Sequence, residues 1–296
     1  MPPNATRLRV GVIGTGLIGA SIGLRARALG MQVAGWDAER SHLAQALEEG
    51  ALDAAGADEN AVVAGCDTLI LAAPLDAVVG LLERLRAQPP PASLIMDVAS
   101  VKVPVVRAGA GLAAFVPSHP IAGSERSGPA AARADLFERH VWTYEPNAAP
   151  AAAERARAFI AAMGARAVPI DAETHDRLAA LTSHLPQVVS VALASRLAAS
   201  LDDATLALCG NGIRSMTRLG ASSWEMWRGI LKSNGPAVAQ EVRTLAAVLS
   251  EIADELEAGR TQALESRFAT AATATASLQA GAPANDAPST NVNIEV

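Results

Sequence analysis

The sequence is poor in several things at once, and each scarcity excludes something. It has two cysteines, Cys66 and Cys209, which cannot build a disulfide framework and do not stand at metal-ligand spacing. Both read as small apolar fillers. Lysine is almost missing: only Lys102 and Lys232 occur, and every other basic residue is arginine. A mechanism that needs an amine base therefore has two candidates. Aromatics make up 3% of the chain and charged residues 18%, with a formal net charge of −6. An acidic chain of this kind is not expected to bind nucleic acid, which needs a basic face. No apolar run approaches the ~18 unbroken residues of a membrane span. The longest, near Leu185–Ala194, is interrupted by Pro186, Gln187 and Ser190. Met1–Arg9 lacks a basic start followed by an apolar core, and a strand pattern begins at Leu8, so no signal peptide is expected. The expectation is a soluble cytoplasmic protein with no membrane partner.

What is present is a core. Half of the 296 residues are hydrophobic, which excludes wholesale disorder, and the length suits about two domains. Short β-branched runs alternate with helical patterns through the first half. Leu8–Ile13, Gln32–Trp36, Thr68–Ala72 and Leu94–Asp97 read as buried strands, with later strands at Ala114–Val116, Val141–Tyr144 and Ala167–Ile170. Helices are predicted over Leu17–Leu29, Ser41–Glu49 (with Ser41 as a possible cap), Ala77–Leu85 and Ala151–Met163. This alternation predicts an α/β domain with a mostly parallel, doubly wound sheet over residues 1–171. After Asp171 the strands stop. Thr174–Ala199, with a kink or break expected near Leu185 because of Pro186, then Pro236–Leu256 and Thr261–Leu278 predict an all-helical domain over 172–280. Its many Ala and Leu faces suggest a homodimer. The polar tail 281–296 reads as disordered.

Gly14-Thr15-Gly16-Leu17-Ile18-Gly19 fits the pattern G-x-G-x-x-G. It follows a strand, opens a helix and precedes a strand ending in Asp37, the context that makes it a dinucleotide site. Gly14 permits the turn, Gly16 lets the backbone approach a pyrophosphate, and Gly19 lets the helix pack on the sheet. Leu17 and Ile18 begin the helix whose N-terminus supplies N–H groups to phosphate. Asp37 can accept from both ribose hydroxyls and would repel a 2′-phosphate, favouring NAD over NADP; the nearby Arg40 pulls the other way. Ala73 and Pro74 end the predicted strand at Thr68–Ala72, where small residues allow the cofactor to pass. Trp36 flanks the adenosine pocket or belongs to the core.

Four polar clusters remain: Asp97–Lys102, Ser118–Glu125, Thr182–Pro186 and Arg214–Trp227. The first follows a strand's C-terminus, where open α/β sheets place ligands. Together with Gly14–Gly19 these motifs (DVASVK, SHPIAGSERSG, ETHDRLAALTSHLP and TRLGASSWEMW), in this order, make the sequence resemble the prephenate/arogenate dehydrogenase family over roughly residues 8–260. The resemblance implies a Rossmann domain followed by an all-helical dimerisation domain. It also implies NAD-dependent oxidative decarboxylation of prephenate or arogenate in tyrosine biosynthesis. By resemblance, His119 hydrogen-bonds the substrate ring hydroxyl and Ser100 supports that contact. Ser183 and His184 line the nicotinamide and substrate pocket. Arg218 holds a substrate carboxylate, Glu125 gates the pocket, and Trp227 follows that arginine. Two positions depart from the family: Ala99 stands where glycine is usual and Trp224 where proline is.

The chemistry suits these residue types. Hydride leaves the carbinol carbon while a base takes the hydroxyl proton, the ring carboxylate leaves as CO₂, and the ring becomes aromatic. A neutral imidazole fits the base, and a planar guanidinium grips a carboxylate bidentately. Other readings stay open. Arg214, four residues before Arg218, could share its role. Lys102 contacts cofactor or caps a helix. His42, His140 and His175 read as solvated or structural. A β-hydroxyacid dehydrogenase of similar plan would use Lys232, and a non-catalytic NAD-binding module would use neither.

Overall fold

The computed structural model describes residues 8–122 and 127–281. The expected tail at 282–296 and the first seven residues lie outside them. The chain divides into two compact units, Met1–Glu241 and Val242–Val296.

The first unit opens with strands and helices in alternation. In chain order they are β1 (Arg9–Ile13), α1 (Leu17–Ala28), β2 (Gln32–Trp36), α2 (Arg40–Glu48), β3 (Ala54–Ala55) and α3 (Glu59–Gly65). Then come β4 (Thr68–Leu71), α4 (Leu75–Ala87), β5 (Leu94–Asp97), α5 (Val103–Ala108) and β6 (Phe115–Val116). The six strands form one parallel sheet in the order β3-β2-β1-β4-β5-β6. Strands buried on both faces read as continuous apolar runs, and alternate residues divide between the faces. Ile70, Leu94 and Met96 join one core cluster, while Leu69, Leu71 and Ile95 join the other. The first cluster also holds Ala20 and Ile22 of α1; the second holds Val62, Leu82 and Val105 of α3, α4 and α5. The strand order reverses between β1 and β4, the place where sheets of this kind open a crevice.

A second sheet was not foreseen. It contains β7 (Ser118–Pro120), β8 (Val141–Tyr144) and β9 (Arg166–Pro169), with α6 (Pro150–Ala162) crossing between the last two. β7 runs antiparallel to β8, and β8 parallel to β9. Thus Val141–Tyr144 and Ala167–Ile170, read as further strands of one sheet, turn away into a small one. Pro120 is tolerated because β7 is an edge strand. Ser41 does not cap α2; the cap is Glu39, whose side chain accepts from the Ser41 N–H.

Beyond residue 171 the described residues are helical. The elements are α7 (Ala172–Ala179), a π-helical turn at Ala180–His184, α8 (Leu185–Ala198), α9 (Asp203–Ala207) and α10 (Asn211–Thr217). A 3₁₀ turn at Arg218–Ala221 leads to α11 (Trp224–Glu257) and α12 (Thr261–Gly281). Asp171 caps α7, accepting from the Thr174 N–H at 2.9 Å. The kink or break expected near Leu185 takes the form of an irregular turn, and the helix runs on past Pro186. The π turn just before it widens the helix and absorbs the missing N–H. Ala172–Ala198 is consequently one run long and apolar enough, by length and composition, to cross a membrane. A search for unbroken apolar residues misses it, because its polar side chains Asp176, His184, Gln187 and Ser190 are buried inside the protein. α11 likewise begins well before Pro236, with a kink at Asn234 (φ −110°, ψ 15°) that accommodates the proline.

The second unit holds the end of α11 and α12. Arg267 ties them, donating to Glu251 (2.7 Å) and to both oxygens of Glu255 (3.0 Å each).

Candidate active site

The glycine turn has the geometry its sequence implies. Gly14 has φ +93°, and a Cβ there would lie 2.4 Å from the Ala72 carbonyl oxygen. A Cβ on Gly19 would lie 1.9 Å from the Gly14 oxygen. A Cβ on Gly16 would meet nothing within 4 Å, so the space above that residue is open. α1 starts immediately after it with no side-chain cap, leaving its first N–H groups for an anion. Leu17 and Ile18 of that first turn pack on the core. The Asp37 carboxylate accepts from the Thr15 N–H (2.6 Å), the Thr15 hydroxyl (3.1 Å) and the Glu39 N–H (2.9 Å). It therefore ties the turn to the end of β2 and keeps acceptor capacity for ribose hydroxyls. Trp36, Ala73 and Leu75 pack against the second core cluster, and Pro74 precedes α4. An open approach to Gly16, an uncapped helix start and a fixed carboxylate together fit a dinucleotide.

Asp97, at the end of β5, is the fully buried anchor of the neighbouring centre. Its carboxylate accepts from the Lys102 ammonium, from Ala99 N–H (2.9 Å) and from Ser118 N–H (2.9 Å). Lys102 Nζ also donates to the Ser118 carbonyl (2.6 Å). The Ser118 hydroxyl donates to the Asp97 carbonyl (2.6 Å) and accepts from Trp142 Nε1 (3.1 Å). These bonds join β7 to β5 and fix the backbone on either side of His119. The Lys102 side chain is committed to the protein interior. Its ammonium pairs with Asp97, and it makes no side-chain cap although it stands at the N-cap of α5. Burial lowers its pKa, against the pull of Asp97.

His119 extends from β7 towards α7. Its Nδ1 lies 3.0 Å from Nε2 of His175, and Nδ1 of His175 lies 2.9 Å from Oδ1 of Asp176. The Asp176 carboxylate also accepts from the N–H groups of Lys102 (2.6 Å) and Val103 (2.8 Å), at the start of α5. Burial holds the His119 imidazole well below its ordinary pKa of 6.5, and His175, Lys102 and His184 push the same way. His119 is therefore neutral at pH 7.

His184, the last residue of the π turn, is buried edge-on against Trp227, with ring centroids 5.7 Å apart. Asn234 Nδ2 donates to the Asp176 carbonyl (2.7 Å) and lies 3.2 Å from His184 Nδ1. The carbonyl can only accept, so it fixes which end of the Asn234 amide is the NH₂. His184 Nδ1 is then the acceptor, and in the neutral ring the proton sits on Nε2. Burial lowers this histidine to a pKa of about 4, His175 adding and Asp176 opposing. The indole N–H of Trp227 is buried with no partner among the described residues.

The structure thus joins His119 and His184 through His175, which reads from the sequence as solvated or structural, and through Asp176 and Asn234, which carry no role in the sequence reading. A signal for two of them was available. Residues 172, 176, 180 and 184 recur every four positions, one buried stripe on a helix, and His175 lies beside it. Ser100 is half-buried just after β5. Ser183 points to the exposed side of the π turn, and Arg218 is exposed at the start of its 3₁₀ turn. Arg214 is exposed and donates to the Cys209 carbonyl at 3.2 Å. Lys232 is exposed on α11. Glu125 lies outside the described residues.

Two family models match the chain: "Prephenate dehydrogenase, nucleotide-binding domain" over residues 21–169 and "Prephenate dehydrogenase, dimerization domain" over 171–270. A protein of Streptomyces niveus named "Probable prephenate dehydrogenase NovF" is 34% identical over 252 residues, 83% of this chain and 68% of that one. The cyclohexadienyl dehydrogenase of Zymomonas mobilis is 31% identical over 243 residues, covering 77% of this chain and 82% of that one. Prephenate dehydrogenase from Aquifex aeolicus, solved with hydroxyphenyl propionate and NAD+, shares the fold with a TM-score of 0.85. It is 21% identical, with 93% of this chain and 99% of that chain covered. By the sheet order, the glycine turn, the buried histidine centre and these matches, the chain belongs to the prephenate dehydrogenase family.

Proposed function

We propose that this protein catalyses the NAD-dependent oxidative decarboxylation of a cyclohexadienol carboxylate, prephenate or arogenate, to 4-hydroxyphenylpyruvate or tyrosine. The observation that carries the reading is the placement of the His119 imidazole on β7, fixed through Ser118 to the C-terminal end of β5 in the sheet that bears the glycine turn. Gly14, Gly16, Gly19 and the start of α1 at Leu17 and Ile18 would hold the pyrophosphate, and Asp37 the adenosine ribose. Ala73, Pro74 and Ser100 would border the nicotinamide end. When bound, the dinucleotide supplies the hydride acceptor.

His119 takes the proton from the ring hydroxyl as ketone character builds at the carbinol carbon, and loss of the ring carboxylate as CO₂ then makes the ring aromatic. Ser100 supports the hydroxyl contact. His184 presents Nε2–H, a donor and not a base, beside Ser183 and Trp227. Arg218 pairs with a substrate carboxylate, and Glu125 gates access. Asp37 favours NAD over NADP. A domain boundary at 171/172 belongs to this reading, supported by family models that end at residue 169 and begin at residue 171. Leu249, Leu256 and Phe268 are exposed apolar residues in the segment matched as a dimerisation domain, which supports a homodimer. A cytoplasmic site of action follows from the reaction class.

Incubation with NAD and prephenate, and separately with arogenate, tests this by the rise of reduced-nicotinamide absorbance with release of CO₂. The expected result is turnover of at least one dienol with NAD and less with NADP. A flat trace with both acids, despite measurable NAD binding, favours a non-catalytic NAD-binding module instead.

A further inference from the structure

His175 and Asp176 have no part in the reaction as set out above, yet they form a chain of short contacts that ends on its base. We infer that they are positioning residues: they hold the His119 ring with its proton on Nδ1, which leaves Nε2 bare to receive the hydroxyl proton. This inference rests on the proposed role of His119 as proton acceptor.

Asp176 is the fixed end of this chain of contacts. Its carboxylate sits at the start of α5, accepting from two backbone N–H groups at 2.6 and 2.8 Å, so both its place and its role as acceptor are fixed. The contact of 2.9 Å to His175 Nδ1 then requires that nitrogen to donate. The bare Nε2 of a neutral His175 faces His119 Nδ1 at 3.0 Å. Only one proton fits between two imidazole nitrogens at that distance, and it belongs to His119. The second nitrogen of His119, across the ring, is left with its lone pair. When it accepts the hydroxyl proton, the positive charge that forms is met by acceptors leading to the Asp176 carboxylate. Asp176 and His175 are buried, so water does not compete for these bonds. Among the described residues, the charged and titratable groups around His119 are Lys102 from the β5–α5 connection, His175 from α7 and His184 from the π turn. Of these, Lys102 can only donate and His184 Nδ1 already accepts from Asn234, so neither offers His119 Nδ1 a competing acceptor.

The chain has five histidines, which makes a side-chain measurement tractable. Histidine-selective ¹⁵N labelling of the full chain, without substrate, reads which ring nitrogen carries the proton; His119→Asn identifies the resonances. The expected result is protonation of His119 on Nδ1, reverting to Nε2 in His175→Phe. In parallel, His175→Phe is expected to lower kcat by roughly tenfold or more, within the range of a general base, with KM for NAD unchanged. His175→Gln, whose amide oxygen can accept in place of Nε2, is expected to recover most of kcat. Protonation of His119 on Nε2 in the unaltered protein overturns the inference, as does an unchanged kcat in His175→Phe or no recovery in His175→Gln. If His175→Phe does not fold, the labelled parent and His175→Gln still decide. Absence of turnover in the unaltered protein counts against the function instead, because the ring-nitrogen measurement does not depend on it.

Discussion

At the scale of single residues, the site is built by burying charge where it can be paired. Asp97 and Lys102 are the clearest case, at 0% and 3% exposure. Replacing one partner leaves the other buried and unpaired, at a cost of about 3–5 kcal/mol. Lys102→Met is therefore expected to lower the melting temperature by on the order of 10 °C. An unchanged melting curve would show that the pair does not hold β7 to β5. Lys232 is exposed on α11, and Lys232→Ala is expected to keep both the melting temperature and turnover near those of the parent. Selective loss of turnover in that variant would revive the lysine mechanism of the β-hydroxyacid dehydrogenases. His119 and His184 were legible in the sequence because they stand in dense polar motifs. The role of His175 was not: its place beside the stripe 172, 176, 180 and 184 signals burial, but not which ring it meets. The pairing of Lys102 with Asp97 was not legible either: the two lie five residues apart around a turn, a separation that helix or strand spacing does not pair.

At the scale of elements, the glycine turn separates two kinds of constraint. Gly19 is packed: its missing Cβ is all that lets α1 approach the Gly14 carbonyl. Gly16 is open: a methyl there meets nothing until a ligand arrives. Gly16→Ala is thus expected to melt like the parent but to bind NAD more weakly, on the order of tenfold or more, or ~1.4 kcal/mol. Gly19→Ala is expected to lower the melting temperature even without NAD. Calorimetric titration and thermal melts of the two variants check this, and equal effects in both would contradict it. The parallel strands were legible because full burial writes an unbroken apolar run. The helices after residue 171 were legible in kind but not in extent. At Pro236 proline suggests a helix start and at Pro186 a kink or break, whereas the π turn before Pro186 and the kink at Asn234 let both helices run on. Those two irregularities are also where His184 and Asn234 enter the site.

At the scale of the whole molecule, buried neutral histidines make stability depend on pH. His184 has a pKa of about 4 in the folded chain, against about 6.5 when unfolded. Between those values the unfolded chain binds more protons. The contribution is therefore fully present above about pH 6.5 and is lost as pH falls towards 4. His119 is shifted in the same direction. The melting temperature is expected to drop over this window, and less steeply in His184→Gln. Identical slopes in the two proteins would rule His184 out as a source. Separation of the small β7-β8-β9 sheet from the parallel one was not legible, because β8 and β9 carry the same apolar pattern whichever sheet they join.

The central claim is that His119 takes the proton while the dinucleotide is held independently by the glycine turn. It is tested most directly by comparing His119→Asn with the parent, measuring kcat for prephenate and arogenate beside the dissociation constant for NAD. The account predicts a loss in kcat of about 10²–10⁴-fold with NAD affinity unchanged. A His119→Asn protein that turns over either substrate within a few fold of the parent would contradict it.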